Sequence, residues 1–352
     1  MDRDVPVTII GIDAHKRTHT LVAIDSGGRK LGQNTVEASS RGHAEAMRWA
    51  TVHFGTELVW AVEDNRSVTA LLERELMGAG PWPVVRCPPY LMARNRTSAR
   101  EWGKSDPIDA WAVARVALRE PNLPRAFHDP VSWELKLLVN RREDLVGQRV
   151  AITNRLFWRL HYIDPDRPEP KRLNYAVRRK ALVDYLTEQS GLQAELALGE
   201  VTDIGWLSES IDALTKRITR QVTDLGSSLL TVPGCAELTA AKLIAEAANV
   251  DRFPNDSAFA AYAGIAPIPQ WSGTTRGRLR ACPYGNRQLN AAIHRIAVVQ
   301  TWREGPGKDY YQRRRAEGDS SASAIRHLKR RLCRVIFNRL RTDFKRRSNH
   351  RV

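Results

Sequence analysis

Cysteine is scarce in these 352 residues and nowhere paired. Cys87, Cys235, Cys282 and Cys333 are scattered, with no CxxC spacing and no histidine at zinc-ligand spacing. That excludes a disulfide framework, argues against a structural zinc, and makes a reducing cytoplasm the expected setting. No apolar run approaches the roughly 18–20 residues a membrane helix needs. No basic stretch followed by an apolar one opens the chain as a secretory signal would, so no membrane partner is expected. A Walker-type GxxxxGK[ST] loop is missing as well. What remains is an ordinary globular composition, 42% apolar and 27% charged, in a chain long enough for two or three domains.

The net charge of +16 is concentrated at one end. Residues Trp271 to Val352 carry 21 Lys/Arg against 5 Asp/Glu, whereas the first 270 residues hold 34 of each. A neutral body with a cationic C-terminal quarter is the footprint of a polyanion partner, most commonly nucleic acid. Trp302, Tyr310, Tyr311, Leu332, Val335, Ile336 and Phe337 are interleaved with the arginines, as in a folded basic surface rather than a solvated tail.

The N-terminal stretch reads as α/β. Val7–Asp13, His19–Asp25 and Lys30–Val36 are strands, with Ser26-Gly27-Gly28 as a turn. A helix over 41–52, a strand over 57–62 ending in Glu63-Asp64, a helix over 67–77 and a strand near Val84-Val85 follow. Pro107 suits the first turn of a helix running to Leu118. The middle differs: 131–162 has no proline, and its apolar residues Leu135, Leu138, Leu145, Ile152 and Leu156 form a seam. Leu207, Ile211, Leu214, Ile218 and Leu225 form a second, and the pair predicts an antiparallel helical hairpin or a dimerising coiled coil. Between them lies a Pro-rich breaker, 164–170, and a small helical insert, the whole spanning about 164–204. Val232-Pro-Gly-Cys235 followed by a helix from Leu238 is similar to a helix-hairpin-helix, whose amides can hold a phosphate; a plain structural turn fits equally. The expected domains are 1–125, α/β; 126–228, helical; and 229–352, mainly α and strongly basic.

Four acids stand out by position. Asp13 ends the first strand, Glu63 ends the fourth, and Asp106 and Asp109 are three apart at a helix start, so they share a face. Acids converging at strand ends suit a pair of hard cations, for which Mg²⁺ is the natural candidate in phosphodiester chemistry. Taken singly, Asp106 reads also as a cap, Asp109 as a first-turn acid and Glu63 as a turn residue. Far along the chain, Trp271-Ser272-Gly273-Thr274-Thr275-Arg276 is small and polar and leads into Arg276, Arg278 and Arg280. Residue types alone read it first as a Ser-Gly turn beside phosphate-contacting arginines. A hydroxyl there could also attack a phosphodiester whose charge the guanidiniums stabilise.

Several segments together resemble the DEDD transposases of the insertion sequence 110 family. They are Gly11-Ile-Asp-Ala-His-Lys-Arg-Thr-His19, the acid of Ala61-Val-Glu-Asp-Asn65, and Lys104-Ser-Asp-Pro-Ile-Asp-Ala110. The likeness continues through Asn154-Arg155-Leu156, Val232-Pro-Gly, Phe259–Pro267, Trp271–Arg278 and Gly285-Asn-Arg-Gln-Leu289, and departs from the usual pattern at Ala281-Cys-Pro-Tyr284. The resemblance implies a RuvC-like, RNase H-like N-terminal domain, a coiled coil, and a C-terminal transposase domain whose serine matches Ser272. It implies catalytic and metal-holding roles for Asp13, Glu63, Asp106 and Asp109. It further implies recombination of double-stranded DNA directed by a structured guide RNA, in a homo-oligomer, dimer or tetramer, associated with the nucleoid when active. Arg287, Arg313, Arg314, Arg315, Lys329, Arg330 and Arg331 join Arg276, Arg278 and Arg280 as expected backbone contacts. Competing readings are a Holliday-junction or other RNase H-like nuclease that needs no Ser272, an actin-like sugar kinase, and a non-catalytic nucleic-acid binder.

Overall fold

In the computed structural model the chain divides into two compact units, Met1–His128 and Asp129–Val352. The described residues are 7–63, 66–88, 91–92, 105–120, 122–269, 279–280, 282 and 285–349.

The first unit is built on a five-stranded sheet. Strands β1 (Thr8–Ala14), β2 (Thr18–Ile24), β3 (Lys30–Glu37), β4 (Leu58–Glu63) and β5 (Val84–Cys87) lie in the order β3-β2-β1-β4-β5. β1, β2 and β3 form an antiparallel meander, while β4 runs parallel to β1 and β5 parallel to β4. This order and orientation fit an RNase H-like domain. β1 is covered on both faces, which is why it reads as an unbroken apolar run rather than an alternating one. Edge strand β3 is mostly exposed and correspondingly polar.

The helices are α1 (Ser40–Phe54), α2 (Arg66–Ala79) and α3 (Asp106–Arg119). On one face Ile10, Ile12, Leu21, Trp60 and Val62 pack with Ala46 and Ala50 of α1 and Leu72 and Leu76 of α2. On the other, Ile9, Val22, Ile24, Ala61 and Cys87 pack with Val113, Ala114 and Val116 of α3. The N-terminus of α1 is closed by Ser39, whose hydroxyl accepts from the Gly42 amide. Under α2 lies a buried ion pair between Glu73 and Arg86. Burial pushes the Glu73 carboxyl up, but bonds from His128, Arg86 and Thr69 outweigh it and hold the group at about 2.

The second unit opens with α4 (Pro130–Ile163), capped by Asp129, then α5 (Ala176–Thr187) and α6 (Leu192–Asp224). α4 and α6 run antiparallel. Arg217 pairs with Glu134, Arg142 donates to Thr215 (2.8 Å), Arg149 to Ser208 (3.2 Å) and Arg159 to Glu200 (3.0 Å). The apolar seams meet within one chain, through Leu145 against Leu207 and Ile211. At the far end α5 folds back, so Leu182 and Leu186 join Leu156, Leu160, Val201 and Ile204. α6 begins well before the seam at Leu207. Gly199 and Gly205 blur the helical signal in the sequence, yet Gly199 has open space around it and Gly205 merely faces the Arg179 side chain.

At the near end Leu135, Leu138, Val139, Ile218 and Val222 enter the core of the C-terminal helices. These are α7 (Glu237–Ala247), α8 (Asp256–Tyr262), α9 (Arg287–Trp302), α10 (Pro306–Ala316) and α11 (Ser321–Asn349). Phe259, Ile293, Ile296, Ile336 and Phe337 fill the centre of that core. A short 3₁₀ turn, Ser228–Thr231, stands before the Pro-Gly turn and α7. The boundary expected at 228/229 therefore falls inside one compact unit. Among the described residues no helix is long and apolar enough to cross a membrane.

Candidate functional site

Asp13 and Glu63 stand at the ends of two neighbouring central strands, and Asp106 and Asp109 lie near Asp13. Ile9 and Ala61 belong to the core on the α3 side, so the two-residue period of a strand carries Asp13 and Glu63 to that same side. Ile12 pairs with Val62 across the parallel ladder, which sets Asp13 and Glu63 at matching strand ends. α3 begins there. Ser105 is its N-cap, Pro107 occupies its first turn, and Asp106 and Asp109 are its first-turn acids.

Gly11 decides how close α3 lies. A Cβ at that position would stand 2.2 Å from the Ala110 carbonyl oxygen and 2.4 Å from the Ala114 nitrogen. Only glycine lets the helix backbone rest directly on β1. That contact carries the first turn of α3 to the end of the strand.

The electrostatics follow from this crowding. Asp13 is 8% exposed, Asp109 is 8% exposed, and Asp106 is open to solvent. Burial raises the Asp13 carboxyl above its ordinary range, His15 pulls it back, and the negative charges of Asp109 and Asp106 push it up again. His15 was not among the residues the sequence singles out. Its Nε2 lies 2.9 Å from Asp13 Oδ2 and 3.6 Å from Asp106 Oδ1. Asp13, His15 and Asp106 each offer a ligand atom within 4.8 Å of the others. Such an excess of acceptor oxygens suits a divalent cation. The only sequence signal for His15 was its two-residue spacing from a strand-end aspartate.

Ser272, Arg276 and Arg278 lie outside the described residues. The two ends of their segment are described, and they are joined. Gly285, at φ 106°, is so close to Gly264 that a Cβ would stand 2.5 Å from the Gly264 nitrogen. The Asn286 amide hydrogen-bonds the Tyr262 carbonyl (2.7 Å), and Asn290 Nδ2 donates to the carbonyls of Ala263 (3.0 Å) and Gly264 (3.1 Å). Asn286 Nδ2 donates in turn to buried Glu246 (2.7 Å), which Lys136 neutralises at 3.3 Å. Residues 264 and 285, which flank Ser272 in the sequence, are thus held against each other.

The basic residues differ in their surroundings. Arg280, Arg287, Arg313, Arg315 and Arg331 are exposed. Tyr310 lies under both Arg331 (4.5 Å) and Arg313 (5.2 Å). Lys329 instead donates to Asn290, and burial lowers its pKa. Arg330 bonds Asp256 and Ser257 (both 2.8 Å), and Arg314 is held by Asp319 and Glu317 (both 2.6 Å). Lys329 and Arg330 thereby tie α11 to α9 and α8, and Arg314 fastens the turn that follows its own helix α10.

Comparison with known proteins bears on the same residues. A transposase family model of the DEDD, IS110 type matches 10–163, and that of the "Transposase IS116/IS110/IS902 family" matches 226–312. An uncharacterized 44.8 kDa protein of insertion element IS116 from Streptomyces clavuligerus is 26% identical, covering 94% of each chain. An uncharacterized 42 kDa protein of IS900 from Mycobacterium paratuberculosis is 25% identical, covering 94% of this chain and 95% of the relative. Among solved structures, T. thermophilus RuvC in complex with a Holliday junction substrate aligns with 34% of this chain and 99% of its own, at 17% identity and a TM-score of 0.26. The RNase H-like assignment rests on the strand order rather than on that alignment.

Proposed function

The chain belongs to the IS116/IS110/IS902 family of transposases, and on that premise we propose how it cuts and rejoins the strands of an insertion sequence. Asp13, Glu63, Asp106 and Asp109 hold Mg²⁺, in a two-ion arrangement. Ser272 is the nucleophile. The helical hairpin and the exposed arginines hold double-stranded DNA together with a structured RNA encoded by the element, and that RNA specifies the target by base pairing. Joining two duplexes calls for more than one copy of the chain, a dimer or tetramer.

The observation that carries this reading is the seat of α3 on Gly11, which brings an acid pair to a buried strand-end aspartate. Bound divalent cations supply charge neutralisation at the phosphate and at the attacking and leaving oxygens. The protein's own part is to hold the four carboxylates ready. In the cleavage step the Ser272 oxygen would bond to phosphorus as the bond from phosphorus to a deoxyribose oxygen breaks. The leaving oxygen ends with the proton the serine gives up. One phosphoester replaces another, so the reverse step on a second duplex needs no ATP. Exposed arginines lining the DNA account for affinity without sequence preference.

The test is strand cleavage of labelled element-end DNA with Mg²⁺ and RNA transcribed from the flanking noncoding region. Asp13→Asn and Asp106→Asn are expected to cut more slowly by on the order of a hundredfold while still binding DNA. Undiminished cutting by both variants contradicts the acid site.

A further inference from the structure

His15 lies outside the four acids to which the proposed function assigns the metal, yet its ring nitrogen stands among them. Strand β1 ends at Ala14, and the His15 amide closes the turn onto the Thr18 carbonyl (2.9 Å). Just past the strand end, its side chain turns back toward Asp13. Nε2 approaches Asp13 Oδ2 at 2.9 Å and Asp106 Oδ1 at 3.6 Å. Donors bound to one ion at about 2.0–2.2 Å stand at most roughly 4.4 Å apart. Both separations fall inside that limit.

We propose that His15 is a nitrogen ligand of this site, shared with Asp13 and Asp106, and that it shifts the site's preference from Mg²⁺ toward Mn²⁺. The inference rests on the metal-site reading of the acids given above. Its chemistry is simple. Mg²⁺ favours oxygen donors, so an imidazole adds little to its binding. First-row ions gain more from an imidazole than Mg²⁺ does, and Mn²⁺, the lowest in their affinity order, is the one closest to Mg²⁺ in its liking for carboxylates. An all-carboxylate site has no such discrimination built into its donor set. Coordination uses the lone pair of a ring nitrogen.

Mn²⁺ is the probe, added to the full chain without nucleic acid. Pulsed electron paramagnetic resonance reads nitrogen coupled directly to the bound ion, and titration gives the affinity. Wild type is expected to show a ¹⁴N coupling that becomes a ¹⁵N coupling when only the histidines are ¹⁵N-labelled, a readout that needs no mutation. His15→Ala is expected to lose the coupling and bind Mn²⁺ on the order of tenfold more weakly. In competition, its Mg²⁺ affinity changes by less than about threefold. Bound Mn²⁺ without nitrogen coupling overturns the role of His15 and leaves the acid site standing. So does an equal loss of Mn²⁺ and Mg²⁺ affinity in His15→Ala. If wild type and Asp13→Asn alike bind no Mn²⁺, the acid-site reading falls and this inference with it.

Discussion

Gly11 and Ala110 are in backbone contact: the space a side chain would need on the strand is filled by the carbonyl of the helix above it. Gly11→Ala must therefore lift α3. The structure predicts a loss of about 2–4 kcal/mol in stability from overpacking against rigid backbone. Asp106 and Asp109 move with the helix, so Mn²⁺ binding should fall along with stability. Chemical unfolding and metal titration of the same preparation check both. A variant with wild-type stability and affinity would show that the contact does not position the acids.

A second prediction concerns pH. His19 is buried on β2, its ring stacked on that of His43 at 5.1 Å. Burial, then the neighbouring His43, lowers its pKa to about 4. The unfolded chain takes up this proton near pH 6.5, whereas the folded chain resists until about pH 4. Stability is thus fully present above pH 6.5 and declines as pH falls toward 4, by up to about 3 kcal/mol. Glu73 acts in a lower window, its contribution being lost only as pH falls from 4.5 toward 2. Urea unfolding at pH 7.0, 5.5 and 4.5 tests the assignment. His19→Leu should flatten the decline, and an unchanged slope would contradict it.

The arginines give a third. Arg331 and Arg313 flank Tyr310 on an exposed surface, whereas Arg330 is committed to Asp256. Arg313→Ala and Arg331→Ala should each reduce the salt slope of duplex binding by about 0.9 while leaving stability within about 0.5 kcal/mol. Arg330→Ala should do the reverse, costing about 1–2 kcal/mol with little change in slope. Fluorescence anisotropy of a labelled duplex over a KCl series, beside thermal unfolding, separates the two groups.

Much of the first unit was legible in the sequence because its signals are local. β1 to β3, the strand-end position of Asp13 and Glu63, and the Pro107 start of α3 follow from alternation and turn chemistry. The four acids are readable as a set by position, but the approach of Asp106 and Asp109 to Asp13 depends on Gly11, whose meaning lies in a helix about a hundred residues later. His15 is not legible in the sequence, which shows its spacing from Asp13 but not Asp106 across from it. The early start of α6 was masked by two glycines that cost little where they stand. The internal ties of Lys329 and Arg330 were invisible for a different reason: Asn290 and Asp256 are tens of residues away, and only tertiary packing brings them near. Ser272 lies outside the described residues, and what is described near it in the sequence is the contact of Gly264 with Gly285.

The proposed reaction needs both the acid site and Ser272. Purified protein, labelled element-end DNA, Mg²⁺ and the flanking noncoding RNA would be run on a denaturing gel, with wild type, Ser272→Ala and Asp13→Ala side by side. A protease-sensitive protein–DNA adduct is expected with wild type alone. Cleaved DNA without an adduct, with Ser272→Ala as active as wild type, would contradict it and leave a metal-dependent nuclease.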